Sequence, residues 1–322
     1  MKFRTEIEIQ QSEYQIGYRS RVLAIGSCFA QSIGGKLLGA KFNVCVNPIG
    51  VLFNPLSICA AIERFAAQRM VDIEEVECGS EGYFHFDFHG SLSAPTPQDA
   101  VSKINEAVEH GSNALEQCDT IIITLGTVWV YELVDSGAVV ANCHKQPSKR
   151  FVRRAMSVSE VVEAVGAVVA RYPSKHFIFS VSPVRHLADG LDENSLSKAI
   201  LRVALAQVVA QYSNVEYFAA YEIMVDDLRD YRFYGEDMLH PSPQAVEYIW
   251  SKFVESNISA AARKAMESVE AIVRAAAHRP LHKGSEAYCK FCERQLELIK
   301  EHPEIDFGKE SAHFRSQLQN IL

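Results

Sequence analysis

The chain has 322 residues, 48% of them hydrophobic and 22% charged, the balance of a globular protein with a substantial core, which excludes disorder as a description of the whole. A net charge of -8, from 40 acidic and 32 basic residues, would repel phosphates and excludes a bulk electrostatic grip on nucleic acid. No run approaches the roughly 18 to 20 apolar residues of a membrane span, and the opening MKFRTEIEIQ lacks the apolar segment of a secretory signal, so a cytoplasmic protein is expected.

Between residues 21 and 256, short β-branched or aliphatic runs alternate with longer stretches of helical period, the signature of a parallel sheet wound by crossover helices. The pattern predicts a strand at 22–25, a helix at 29–38, a strand at 42–46 and a helix at 55–70 opened by Pro55. The alternating run YFHFDF at 83–88, set off by Gly79 and Gly82, reads as an inserted hairpin. A helix at 97–117 and a strand at 120–125 follow. A second hairpin pairs 128–134 with 138–141 around Asp135, Ser136 and Gly137. Next come a helix at 157–171, with Ser157 and Glu160 spaced as a capping box, a strand at 176–181, a helix at 192–211, a strand at 215–219 and a helix at 243–254. The five main strands are apolar on both sides, as strands covered on both faces must be. The expected fold class is therefore α/β: a three-layer α/β/α sandwich, flavodoxin-like, with a parallel five-stranded core sheet in the order 2-1-3-4-5 and inserted hairpins. Beyond residue 256 the strand signals stop, and charged helices at 258–277 and 284–301 precede a tail. This divides the chain into a domain of 1–256 and a helical C-terminal extension of 257–322.

In such a sheet, ligands bind beyond the carboxyl ends of the strands, and the first strand flanks the crevice. Gly26, Ser27 and Cys28 stand there, in VLAIGSCFAQSIGGKLL. Gly26 permits a sharp turn, and a side chain at the start of the following helix meets free backbone N–H groups and the positive end of the helix. Those groups would stabilise a thiolate or an oxyanion. A capping serine beside a buried cysteine fits the same residues. A second cluster, Asp237 and His240 in RFYGEDMLHPSPQAVEYIW, precedes the last helix of the sandwich on the same rim. An aspartate three residues before a histidine can accept from one imidazole nitrogen and leave the other as a base toward a nucleophile.

The pentapeptide GSCFA at 26–30, with NPIGVLFNP at 47–55, TLGTVWVYE at 124–132, ANCHKQP at 141–147 and SPVRH at 182–186, resembles the GSCFA-domain proteins. These look like an outlying branch of the SGNH (GDSL) hydrolase superfamily. The resemblance implies an SGNH-like fold and an esterase or O-acyltransferase, most plausibly for acetyl, acting on a carbohydrate or small hydroxylated substrate. It implies a Cys/Ser-His-Asp site built from Cys28, Ser27, His240 and Asp237. An ungapped match to Gly-Asp-Ser puts the nucleophile at Cys28, whose thiol pKa a nearby histidine and helix start would lower; a one-residue shift puts it at Ser27. For the oxyanion hole and substrate, the resemblance points to Gly50 with Asn47 nearby, and to Gly126, where no asparagine follows as it does in the superfamily. Thr127, Asn142 and His144 are the available substitutes, and Arg185 and His186 border the same crevice. No cofactor is required, with an acyl-coenzyme A as an admissible donor, and a small-molecule or carbohydrate substrate is the expected partner. A catalytically inactive SGNH-like module that binds a ligand or protein is the alternative.

Two further clusters admit two readings each. His144, Lys145, Lys149, Arg150, Arg153 and Arg154 either receive an anionic group or form a solvated face leading into a helix. His278, His282, Cys289 and Cys292 have spacings permissible for zinc, but they fall in helical sequence where i and i+3 share one face, and no metal is assigned. The eight cysteines, without a secretory cue, read as reduced core thiols or site residues and not as a disulfide framework.

Overall fold

The structure is a computed structural model and describes residues 4–278, 280 and 285–319. In chain order the first half comprises β1 (Arg21–Gly26), α1 (Cys28–Gly39), β2 (Asn43–Val46), α2 (Pro55–Ala67), β3 (Glu77–Gly79), β4 (Gly82–Phe84) and α3 (Pro97–Gln117). Then come β5 (Thr120–Leu125), β6 (Trp129–Leu133), β7 (Val139–Val140), β8 (Phe151–Ala155), α4 (Val158–Arg171), β9 (His176–Val181), α5 (Leu191–Gln211) and β10 (Val215–Tyr217). A short α6 (Ala220–Glu222) runs into a π-helical turn, Ile223–Leu228. The helices α7 (Pro243–Asn257), α8 (Ala260–Ala277), α9 (Glu286–Lys300) and α10 (Gly308–Gln319) complete the order.

The core sheet has the order β2-β1-β5-β9-β10, and every neighbouring pair is parallel, as the alternating pattern required. Because strand side chains alternate faces, each strand feeds two cores. Leu23, Ile25, Ile121, Ile123, Phe177 and Phe179 pack with α2, α3, α4 and α5. Val22, Ala24, Ile122 and Ile178 pack with α1, α7 and the C-terminal helices, giving the α/β/α sandwich. The helix starts follow from local chemistry: Asn54 caps α2 with Pro55 in the first turn, Thr96 caps α3, and Ser157 and Glu160 form the expected capping box on α4. Among the described residues, no helix is long and apolar enough to cross a membrane.

Three expectations are corrected. The strand β4 ends at Phe84, and the YFHFDF alternation continues through a turn in which Phe86 and Phe88 are still buried. The period of two reflects alternate burial without a strand partner. The basic segment does run, partly exposed, into α4, but by way of a strand the pattern did not suggest: residues 151–155 form β8, which pairs with β6 and turns the expected hairpin into a three-stranded antiparallel sheet. Its charges are spent locally, Arg150 on Glu77, Arg154 on Glu132 and Glu160, and Arg153 over the Trp129 ring at 3.6 Å. Finally, the C-terminal tail holds a helix, α10, anchored by fully buried Phe314.

Candidate active site

The β1–α1 turn is shaped by Gly26, whose φ of +136° and close approach to β5 exclude a side chain: a Cβ there would lie 2.3 Å from the Thr124 carbonyl oxygen. Its N–H donates to Asn47 Oδ1 at 2.9 Å, and its carbonyl accepts from Leu52 at 2.9 Å. Ser27 is 1% exposed and caps α1, its hydroxyl accepting the Phe29 N–H at 3.3 Å. Cys28 opens the helix and is half-buried, so of the two candidate nucleophiles it is the accessible one. Burial pushes its thiol above the ordinary value and its own backbone N–H only partly opposes this, the reverse of the lowering expected from sequence. Desolvation of the anion outweighs the helix start, so the resting group is a thiol and needs a base.

The turn 234–241 carries the second half of the site. Tyr234 bridges to Pro241, and the Gly235 N–H donates to the His240 carbonyl at 2.8 Å. Within this turn Asp237 Oδ1 accepts the Leu239 and His240 N–H groups at 2.9 and 3.0 Å, while Oδ2 lies 2.6 Å from His240 Nδ1. An ionised carboxylate only accepts, so Nδ1 carries the proton and Nε2 is left as the basic nitrogen. The imidazole and these two backbone donors hold the Asp237 carboxyl down at about 2. Both side chains are about half exposed, 48% for His240 and 46% for Asp237.

Topology puts these pieces on one rim. The register Gly26↔Thr124 and Leu125↔Val181 aligns the carboxyl ends of β1, β5 and β9, and the loop after β9 holds the 234–241 turn through Arg185 N–H to the Leu239 carbonyl, 3.1 Å. Among the described residues no hydrogen bond joins His240 to Ser27 or Cys28.

The donors proposed for an oxyanion are engaged within the protein. Asn47, itself at φ +42°, accepts the Gly50 N–H at 2.8 Å, and its amide donates to Gln31 Oε1. The Gly126 and Thr127 N–H groups both donate to the Phe53 carbonyl, at 2.7 and 3.1 Å. The Thr127 hydroxyl contacts Ser197 at 3.2 Å and accepts the Trp129 N–H. Asn142 Oδ1 accepts the His144 N–H, and His144 Nε2 meets the His85 and Phe88 carbonyls at 3.1 and 3.0 Å while its ring stacks on Phe84. Asn142 and His144 thus brace the segment after β4. Arg185 lies over the Tyr234 ring at 4.0 Å.

Sequence reasoning missed a buried polar group beside this rim. Lys198, 1% exposed, donates to the Gly126 carbonyl at 2.6 Å, and burial pushes its amine down to about 7. His186 takes an Asn194 side-chain oxygen on its N–H and packs edge-on against Phe53, yet its Nε2 is buried without a partner. Burial, reinforced by the charges of Lys198 and His240, pushes His186 down to about 4, so it is neutral at pH 7. The spacing of Lys198 with Leu201, Leu205 and Val208 was a visible sign that it belongs to an apolar helix face. Of the suspected zinc residues, His282 lies outside the described residues, and Cys292 is fully buried among apolar side chains with its thiol pushed up by burial.

Comparison with known proteins agrees with these motifs. The GSCFA family profile matches residues 21–253, and the GSCFA C-terminal domain profile matches residues 269–320. No curated protein matches the chain at a significant level. A solved structure provisionally described as a platelet activating factor from Streptococcus pneumonia aligns over 73% of this chain and 83% of that chain, at 14% identity and a TM-score of 0.39, too distant to bear on activity. The match over most of its length, with GSCFA itself at 26–30, makes this chain a member of the GSCFA family.

Proposed function

We propose that the protein is an SGNH-like acyl-ester hydrolase or O-acyltransferase, for acetyl above all, acting on a carbohydrate or small hydroxylated substrate. The observation that carries this reading is the Asp237–His240 pair, joined at 2.6 Å on the rim where β1 delivers Cys28. His240 Nε2 takes the thiol proton as Cys28 Sγ attacks the acyl carbonyl. The tetrahedral adduct collapses to a thioester, and the departing alkoxide takes that proton from the imidazolium. Water or an acceptor hydroxyl, deprotonated by His240, then attacks the thioester, and the proton returns to sulfur. In the first turn of α1 the Cys28 N–H has no intrahelical partner and supplies the donor nearest the nucleophile. A raised thiol pKa suits base-assisted attack and does not suit a preformed thiolate.

Incubation with p-nitrophenyl acetate or an acyl-coenzyme A, followed by intact mass, tests this. One acyl group should appear on Cys28. Turnover should be lost in Cys28→Ala and fall about 10²- to 10⁴-fold in His240→Ala, while Ser27→Ala loses only the part due to the helix cap. A dead Ser27→Ala with an active Cys28→Ala would make this a serine esterase. Activity retained in both nucleophile variants would assign the turnover to a contaminant or another residue and leave the reading of a ligand-binding module, which the internal engagement of Gly50, Gly126 and Thr127 favours.

A further inference from the structure

Beside the His240 turn lies a cavity of about 220 Å³ lined by Arg185, Leu191, Asn194, Tyr221, Tyr231 and Tyr234, among others. It shares its wall with the candidate site: Arg185 N–H holds the Leu239 carbonyl, and Tyr234 bridges Pro241, the residue after His240. Arg185 stacks over Tyr234 at 4.0 Å and faces Tyr231 at 5.1 Å. Stacking uses the face of a guanidinium and leaves its in-plane N–H edge able to grip a planar anion. Among the described residues Arg185 forms no ion pair. Glu222 is bonded to Arg202 and the Tyr217 hydroxyl and Asp230 to Arg232, while Glu222 and Asp226 lie close enough to Tyr221 to add to burial in raising its pKa, so Arg185 is the cation that offsets them at this wall. The Asn194 side-chain oxygen is spent on the His186 N–H, whereas its amide nitrogen has no partner among the described residues. Tyr231, over whose ring Arg185 lies on one side, is itself 62% exposed.

We propose that this cavity is a substrate subsite for one anionic sugar ring of the uronic acid type, its carboxylate on Arg185, a hydroxyl on the Asn194 amide, and its C–H face on the tyrosines. Two arguments select this class. A guanidinium held by tyrosines, with no ion pair among the described residues, favours an anion over a neutral ring, and flat aromatic walls favour a ring over a bare anion. The volume falls below the roughly 300 Å³ at which drug-sized pockets begin, so one ring fits and a nucleotide does not. The subsite rests on the acyl-transfer reading, because it places the sugar's hydroxyls beside His240.

The test is titration of the full-length protein with glucuronate, glucose and inorganic phosphate, followed by ligand-observed NMR or calorimetry. Glucuronate should saturate, with glucose and phosphate each at least tenfold weaker. Arg185→Gln should weaken glucuronate at least tenfold, and Tyr231→Ala, at an exposed position that leaves folding intact, several-fold. Glucose binding as tightly as glucuronate would overturn the anionic part, and phosphate binding as tightly would reduce the cavity to a simple anion site. Unchanged affinity in both variants would remove the subsite. Repeating the titration in Cys28→Ala separates the two proposals: glucuronate binding there stands or falls on the cavity alone, while acyl turnover surviving in Cys28→Ala overturns only the nucleophile.

Discussion

Asp237 shows how three residues can build half of a catalytic pair. Its two oxygens divide the work: Oδ1 holds the backbone of the turn through Leu239 and His240, and Oδ2 orients the imidazole. Because its carboxyl is held at about 2, the group stays ionised throughout the range in which enzymes are normally assayed, and an inflection in the pH–rate profile assigned to it belongs near pH 2. In Asp237→Asn the backbone contacts can survive, but the charge that stabilises the imidazolium is gone. We expect acyl turnover to fall about 10²- to 10⁴-fold, with a thermal midpoint close to that of the parent because the side chain is half exposed. A large drop in the midpoint would instead make Asp237 a folding residue of the turn.

At the scale of elements, the first turns of α5 fasten both loops that flank the crevice. Asn194 holds the His186 backbone, Ser197 holds Val128 and Thr127, and Lys198 holds the carbonyl of Gly126. The lysine gives this clamp a pH signature. Its folded pKa of about 7 lies below the ordinary 10.5, so between those values the unfolded chain carries a proton that the folded chain lacks. Stability therefore rises with pH across that window, with a limiting slope of about 1.4 kcal/mol per pH unit for one proton. Lys198→Met should flatten that slope in denaturant titrations at pH 7 to 10. An unchanged slope would show that the amine stays charged in the fold.

Over the whole molecule, the two faces of the sheet are covered differently. One face is covered by the helices between β2 and β10. The other is covered by α1, α7 and the C-terminal helices, where Met266, Val269, Ile272, Cys292 and Phe314 share a buried cluster with Val22, Ala24 and Phe29. Ending the chain at Asn257 would bare that face. Each large side chain removed forfeits roughly 1.5–3 kcal/mol of burial, a loss comparable to the entire stability of a domain. The full chain should unfold in a single calorimetric transition, and the truncated chain should be insoluble or melt far lower. Two separated transitions in the full chain, or a truncation with an unchanged midpoint, would show that the C-terminal helices fold on their own.

The sequence alone determined the parallel sheet and its order, because period-two and period-3.6 burial are local and the right-handed crossover rule leaves few ways to connect them. It also determined the Asp237–His240 pairing, since both partners lie in one turn three residues apart. Helices with a capping residue and a proline or an acidic first turn, such as α2, α3 and α4, were legible for the same reason. Only the tertiary structure decided that residues 151–155 of the basic run pair as β8, that Phe314 anchors a last helix, and that burial raises the Cys28 thiol. It alone brought His186, Lys198 and Asn194 together from two elements, and it alone showed which backbone donors were already taken by Asn47 and Phe53. Desolvation and hydrogen-bond occupancy depend on neighbours distant along the chain, and no local pattern of residues encodes them.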